Sequence, residues 1–473
     1  MRIVIIGGGA AGLLASLLLA RVGHEVAVLE RDRLRPAPDV ESAAAAAFRP
    51  AAPQVVQPHM VMARCRELLR QHLPDVYGDL LDAGVAEAPL REQMPASLPD
   101  RAAWPGDERL TSLLTRRSTV DWVLQRAAAA QPGVSLRAGV RVTGLLAGPG
   151  RPPRVTGVRT SRGSFPADLV VDAAGRRSPA DRWLAGIGAC PPATRRAECG
   201  LAYFSRHYRL RSAAGLPGLP GTRLVAGLNE FTVGKWGGDN GTVQLALAPL
   251  AADPRFRAVR NPDVFTAVLR AVPAFAAWLD VLDPVTGVYP MAGLHNTLRR
   301  LVVNGNPVVT GLHAIGDSVC TTNPTLARGL ALALSGAVDL RDVIGRHAGD
   351  PAAQALALDA LVTEHVAPYY EDQTAIDGAR LASLRHAVFG APAPSPTRPG
   401  SDRVSYAQLR AAAAFSPAAF RAFWTVQAMI GRPVAVYTDP AVVACTREAL
   451  RRRGGGEPIP QPPREQLLAA LAS

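Results

Sequence analysis

Within residues 1 to 30 the apolar pattern changes period twice. Ile3 to Ile6 is an unbroken, mostly β-branched run suited to a parallel strand buried on both faces. Leu13 to Val22 then carries apolar residues through a helix that Gly23 closes, and Val26 to Leu29 makes a second strand. After Asp32 the pattern lapses into "LRPAPDVESAAAAAFRPAAPQVVQP", with a short helical turn expected at Ser42 to Phe48. That segment is too long for a plain connector, so it is expected to be either a mobile lid or a solvated insertion. Helical patterning resumes in "HMVMARCRELLRQHL" and "RRSTVDWVLQRAAAA". Strands and turns follow in "VSLRAGVRVTGLLAG" and "RVTGVRTSRGSFPADLVVDAAGRRS".

From about 199 to 249 the segments "GLAYFSRHYRL", "TRLVAGL" and "TVQLALAPL" read as strands of a substrate-facing sheet, separated by Gly-rich turns. Phe204, Tyr208, Phe231 and Trp236 are its candidate pocket liners. Helices return at "NPDVFTAVLRAVPAFAAWLDVL", and the tail from about 346 is mostly helical, with no internal repeat. The expected units are 1–185 and 296–345 as two parts of one α/β domain, 186–295 as a β-sheet substrate domain, and 346–473 as a helical C-terminal region.

Composition narrows the partners. A chain of 473 residues with 48% hydrophobic content can bury a large core. Its net charge of +13 comes almost wholly from arginine, because Lys235 is the only lysine. The arginines are scattered, without aromatic interleaving or a long basic stripe, so no nucleic-acid partner is expected, while anionic cofactors are favoured. Five widely spaced cysteines without a CxxC pair suggest neither disulfides nor a metal site, and a reducing, cytoplasmic setting. Three consecutive glycines break the apolar start, which argues against a signal peptide, and no other stretch reaches the roughly 18 to 20 apolar residues a transmembrane segment needs.

The glycines explain that start. Gly7, Gly9 and Gly12 fit G-x-G-x-x-G between a strand and a helix. The first allows a tight turn, the second lets backbone approach a pyrophosphate, and the third lets helix and strand pack closely. Glu30 ends the second strand, where a carboxylate accepts hydrogen bonds from a ribose diol and disfavours a 2′-phosphate. The motif alone does not separate FAD from NAD. A later stretch, "HAIGDSVCTTNPTLARGLALAL" at 313 to 334, brings one carboxylate and several small polar residues to the mouth of a helix.

Together these motifs resemble the single-component (group A) FAD-dependent monooxygenases built like para-hydroxybenzoate hydroxylase. The second motif of the likeness is "ADLVVDAAGRRS", similar to the family's strand ending in Asp, then Gly, then Ser. The third is the 313 to 334 stretch, where Gly316, Asp317, Pro324 and Gly329 fall on the family's G-D-A-A-H-x-x-x-P-x-x-G-x-G pattern. The resemblance implies an α/β fold, a Rossmann-like FAD-binding domain with an inserted β-sheet substrate domain and a helical C-terminal region. It puts Glu30 with Arg31, Arg117, Asp172, Gly175, Gly316, Asp317 and Gly329 on the cofactor, Asp317 at a ribityl hydroxyl.

In that reading Asn323 caps the helix and Pro324 opens it beside the flavin's pyrimidine edge, where the positive helix end favours anionic reduced flavin. Asn323, Pro324 and Arg328 are therefore the candidate catalytic residues. The chain departs from the family pattern at Cys320 in place of His, Ala327 in place of the first Gly, Ala331 in place of a frequent Asn, and Arg328 between them. A guanidinium there is expected either to pair with an anionic substrate or reduced flavin or to be a solvated or salt-bridged helix arginine. His59, His207 and His313 are candidate acid/base groups.

The implied reaction takes electrons from NADH or NADPH and oxygen from O2 to hydroxylate or epoxidise a small organic, specialised-metabolite substrate. Alternatives are a reductase of the geranylgeranyl-reductase type and a non-catalytic flavin-binding protein. A flavin halogenase is disfavoured because no two tryptophans stand two apart as in its W-x-W-x-I-P signature, and because the single lysine falls in the strand region. "GLPGLPG" at 215 to 221 has no flanking strand and helix pattern of a second dinucleotide domain. Oligomeric state is left open.

Overall fold

The computed structural model describes every residue except 35–36, 51, 96–97, 99, 212–222, 395–399, 401, 453–459 and 473, so "GLPGLPG" lies outside the described residues. β1 (Arg2–Ile6), α1 (Ala10–Arg21) and β2 (Glu25–Glu30) form the expected strand, helix and strand. α1 is apolar all round and is buried from Ala10 to Ala20 save Ala11, as a helix with no polar face must be. α2 (Arg117–Ala130) leads into β3 (Val134–Ala138), and a three-stranded antiparallel arm over residues 142 to 166 precedes β4 (Leu169–Asp172).

The chain then builds a separate antiparallel sheet from β5 (Tyr203–Leu210), β6 (Arg223–Gly227), β7 (Phe231–Gly237) and β8 (Thr242–Pro249). Two short strands, Leu282–Pro284 and Tyr289–Met291, extend it along β5. The chain returns with β9 (Leu312–Ala314), completing a parallel sheet of order β9–β4–β1–β2–β3. α3 (Gly329–Arg346) packs on α1, and α4 (Ala367–Phe389) and α5 (Pro417–Gln427) carry the helical C-terminal region. The fold is thus mixed α/β, with a Rossmann-like parallel sheet, an inserted antiparallel sheet and helices at the end. No helix among the described residues is long and apolar enough to cross a membrane, and all five cysteines are free thiols.

Three details differ from expectation. β7 is an additional strand, with Gly234 inside it because the Trp236 ring folds back over that position; a Cβ there would stand 2.2 Å from the ring. The terminal helix Arg464–Ala472 does not join the other C-terminal helices but packs on the helix Pro262–Arg270 and the turn Pro254–Arg260 beside the inserted sheet, adding Leu467, Ala470 and Leu471 to that core. The segment after Asp32 is neither free lid nor solvated insertion. Its described residues form a strap, with a helix at Val40–Ala45 capped by Asp39 and a 3-10 turn at Pro53–Val56.

Ion pairs pin the strap at both ends. Arg49 lies 3.1 Å from Glu30 and 3.0 Å from Asp32. Glu41 accepts from Arg116 at 2.7 Å and from Arg209 at 3.1 Å, and Arg116 is itself buried against Asp239 of the inserted sheet at 2.6 Å.

Candidate flavin site

The glycine turn is built as the spacing requires. Gly7 has φ +110°, and a Cβ on it would stand 2.5 Å from the Ala173 carbonyl oxygen. A Cβ on Gly12 would stand 2.0 Å from the Gly7 carbonyl oxygen, so helix and turn touch through backbone alone. A Cβ on Gly9 would meet nothing within 4 Å, since this residue faces a cleft. The cleft has a volume of about 650 Å³ and gathers Gly7, Gly9, Glu30, Arg31 and Gly175 of the expected residues. Gly12 sits one turn into α1. The buried Glu30 carboxylate accepts the Gly8 N–H and the Asp32 N–H, both at 2.8 Å, and pairs with Arg49.

Asp172 acts one layer behind this surface. One oxygen accepts the Ala174 N–H at 2.9 Å and the Ser318 hydroxyl at 3.1 Å; the other accepts the Ser178 hydroxyl. The Ser318 oxygen in turn accepts the Gly175 N–H at 2.9 Å. Asp172 is therefore committed to fixing the 172–178 turn rather than facing the cleft, and the Gly175 backbone, at φ +78°, lines the cleft instead. Burial pushes the Asp172 carboxyl up, against the pull of these hydrogen bonds.

The same turn pair presents Asp317. Gly316, at φ +59°, allows the turn to approach α1 so closely that a Cβ would lie 2.8 Å from that of Ala11. Among the described residues the Asp317 carboxylate has no hydrogen-bond partner. One of its oxygens would lie 3.9 Å from a Cβ on Gly329, the first residue of α3. Burial raises this carboxyl, while the charges of Arg117 and Arg176 pull it down. Arg117 itself opens α2 and is oriented by Asp121 at 2.8 Å. An acceptor with no hydrogen-bond partner among the described residues, at a helix start and in the field of two arginines, fits a ligand hydroxyl.

The three catalytic candidates need correction. Pro324 does not open α3; it starts a 3-10 turn, Pro324–Leu326, that Ala327 breaks at φ +55° before the helix begins at Gly329. Ala327 thus takes the left-handed conformation for which glycine is the usual residue. The Asn323 side chain caps nothing. It accepts from the Tyr203 hydroxyl and donates to Asp377 at 2.9 Å, and the Asn323 N–H donates to Asn296 at 2.6 Å. Asp377, on α4, also accepts from Asn296 at 2.7 Å and Gln373 at 3.0 Å, and burial pushes it up to about 6.

Arg328 is wholly buried and donates to Asp372 of α4 at 2.7 Å, with its guanidinium 5.3 Å from the Tyr369 ring centre. It is a strut between helices, so it is not available to an anionic substrate or to reduced flavin. Cys320 is buried and its thiol is pushed up by burial, hence protonated and inert.

The expected liners also divide. Phe204, Tyr208 and Phe231 belong to the core between the inserted sheet and the helices Pro262–Arg270 and Pro273–Leu279. Only Trp236 lies on the opposite face, where it packs with Met60, Met62, Phe420, Trp424 and Ala327. All three candidate histidines are neutral; His207 and His313 are buried and His59 half-buried. His313 sits 3.4 Å from Gln354, and burial pushes it down to about 4. His207, beside the Arg116–Asp239 pair, is likewise near 4. His59 is pushed down to about 3 by burial and by Arg117; its backbone is clamped by Gln244 at 3.0 and 3.1 Å, and its Nε2 is buried without a partner. Of the three, only His59 feels the same arginine as Asp317.

Sequence reading missed Arg49, Arg176, Ser318 and Asp377. Ser318 and Arg176 lie inside motifs already singled out, but Arg49 and Asp377 reach the site from distant segments and carry no local signal.

Similarity to known proteins follows the same geometry. The NAD(P)-binding Rossmann-like domain family matches residues 5–38. Protein Rv3254 of Mycobacterium tuberculosis is 28% identical over 358 residues, 70% of either chain. Among solved structures, PqsL of Pseudomonas aeruginosa, described as a probable FAD-dependent monooxygenase, superposes with a TM-score of 0.59 at 15% identity, over 82% of this chain and 98% of its own. The flavin-dependent brominase Bmp2 gives 0.62 at 15% identity over 97% and 100%. HpxO of Klebsiella pneumoniae, solved with FAD and uric acid, gives 0.57 at 18% identity over 82% and 91%. The chain has the fold of these flavoproteins.

Proposed function

We propose that this protein is an FAD-dependent monooxygenase that takes electrons from NADH or NADPH and transfers one oxygen atom of O2 to a small organic substrate. The observation that carries the reading is the line formed by the cleft along the Gly7–Gly9 turn, Glu30 and Gly175 and by the turn bearing Asp317, which the Ser318 hydroxyl fastens to Gly175. An extended dinucleotide fits that line, with pyrophosphate at Gly9, ribose at Glu30 and the ribityl chain at Asp317. The flavin supplies the redox and oxygen chemistry; the chain binds it, orients it and keeps water away. Arg117 and Arg176 supply positive charge beside Asp317. The Asn323 network holds the 323–328 turn against α4 and the inserted sheet.

The substrate is taken to be a specialised metabolite, met on the side of the inserted sheet where Trp236 packs with Met60, Met62, Phe420 and Trp424 against Ala327. Halogenation, the reaction named for Bmp2, has less support. The sole lysine, Lys235, is buried beneath Trp278 on the outer face of the inserted sheet, 3.8 Å from the ring centre.

The test is to reconstitute the protein with FAD, supply NADH or NADPH with candidate aromatic substrates, and follow oxygen uptake and labelled-oxygen incorporation. Substrate-stimulated uptake with one labelled atom in the product supports the monooxygenase. Reduction of a substrate double bond without oxygen uptake turns the reading to a reductase, and protein that takes up no FAD overturns both.

A further inference from the structure

We propose that Asp377 of α4 is the positioning residue for the turn at 323–328, and that it holds this turn as a carboxylate. The proposal rests on the reading of the cleft as an FAD site, since the turn stands between Asp317 and the inserted sheet. One Asp317 oxygen would lie 3.9 Å from a Cβ on Gly329, just past the turn, and Ala327 within it packs with Trp236. In that reading a flavin whose ribityl chain meets Asp317 brings its ring to this turn. Asn323, the turn's first residue, is held at three points. Its N–H donates to the Asn296 side-chain oxygen at 2.6 Å, its Nδ2 donates to Asp377 at 2.9 Å, and its Oδ1 accepts from the Tyr203 hydroxyl.

Two hydrogen-bond chains therefore end on one carboxylate. The first runs from Tyr203 on β5 through the Asn323 side chain to one Asp377 oxygen. The second runs from the Asn323 backbone through Asn296, on the strand His295–Arg300, to the other oxygen at 2.7 Å. Gln373, one turn earlier on α4, donates to Asp377 at 3.0 Å and to the Thr325 hydroxyl at 3.3 Å. Asp377, Asn296, Asn323, Gln373 and Tyr203 are all buried. An ionised carboxylate only accepts, so each amide must turn its nitrogen toward it, and both chains are fixed in one direction. A protonated carboxyl would set an O–H against three N–H donors and lose a bond. Burial pushes Asp377 up to about 6, while the three amides and the Arg328 charge pull the other way. The titratable groups that face it, Tyr203 and Cys199, are themselves raised by burial and stay neutral. The grip on the turn is thus complete above about pH 6 and is lost as the pH falls through that value.

The test compares wild type, Asp377→Asn and Tyr203→Phe from about pH 5 to about pH 8. It reads hydrogen exchange across residues 323–328, and the visible absorption, affinity and NADH or NADPH reduction rate of bound FAD. At about pH 8, Asp377→Asn is expected to exchange faster than wild type in the turn and to slow flavin reduction by about ten- to hundredfold, with FAD affinity kept. The wild-type flavin spectrum is expected to titrate near pH 6, and Asp377→Asn to lose that titration. Tyr203→Phe opens one chain but keeps the carboxylate, so it is expected to loosen the turn and retain the titration, and it carries the test if Asp377→Asn does not fold. Wild-type exchange in the turn of both variants overturns the proposal. A wild-type spectrum that does not titrate, or a titration that persists in Asp377→Asn, overturns the part given to the ionised carboxylate. A wild type that takes up no FAD overturns the flavin reading and leaves the anchor to be judged on exchange alone.

Discussion

Gly9 and Gly12 lie three residues apart and are expected to answer the same substitution in opposite ways. A methyl group on Gly9 meets no protein atom within 4 Å and projects toward the cleft, so Gly9→Ala should keep its urea midpoint and lose nucleotide affinity, with Gly9→Val abolishing it. A methyl on Gly12 would stand 2.0 Å from backbone that cannot yield, so Gly12→Ala should cost about 1 to 3 kcal/mol of stability. Equal destabilisation by both would show that Gly9 packs against protein rather than facing a ligand. Asp317 makes a third case. Its carboxyl is raised by burial and has no partner among the described residues, so ionisation there opposes folding. Asp317→Asn should therefore leave the melting temperature unchanged or higher while weakening FAD. Unchanged FAD affinity would mean that the carboxylate does not reach the ribityl chain.

At the scale of elements, α3 and α4 are joined by one buried ion pair, Arg328 with Asp372, which Tyr437 steadies by donating to the second Asp372 oxygen at 2.8 Å. Removing one partner strands a buried charge, so Arg328→Met should cost about 3 to 5 kcal/mol, and Arg328→Met with Asp372→Leu should recover much of that. Denaturant unfolding of the two single variants and the double checks this, and additive losses would mean that the pair is not coupled. The role of Arg328 was not legible in the sequence because its partner lies 44 residues away on another helix. β1, α1 and β2 were legible, because each is defined by local period and by the glycines between them. The inward and outward faces of the inserted sheet were not. β8 is buried at every position from Thr242 to Pro249, so alternation carries no sign of which side faces the site. Likewise the αL conformation at Ala327 splits the expected single helix into a 3-10 turn and α3, and alanine gives no warning of it.

The molecule as a whole carries a proton linkage in its buried histidines. The fold holds His313 near 4, whereas an unfolded histidine titrates near 6.5. Between those values the unfolded chain binds a proton that the folded chain refuses. The stability of the neutral imidazole is thus fully present above about pH 6.5 and is lost as the pH falls toward 4. His313→Leu should flatten the pH dependence of unfolding over that window by up to about 1.4 kcal/mol per pH unit relative to wild type. Identical slopes for the two proteins, read from urea unfolding at several pH values, would show that His313 titrates normally in the fold.

The parallel sheet also sets an order of events during synthesis. β1 has its neighbour β4 at residues 169 to 172, and β4 has its neighbour β9 at 312 to 314. The turn after β4 gains its last fastening from the Ser318 hydroxyl. Translation at about 5 to 20 residues per second puts at least several seconds between the emergence of Ser178 and that of Ser318. Over that interval the nascent chain carries the apolar β1 and α1 without the helix α3 that covers them, a stretch that invites chaperone contact. The inserted sheet, whose strands pair within residues 203 to 291, can be complete before the turn that lines the cleft at Gly175 is fastened by Ser318.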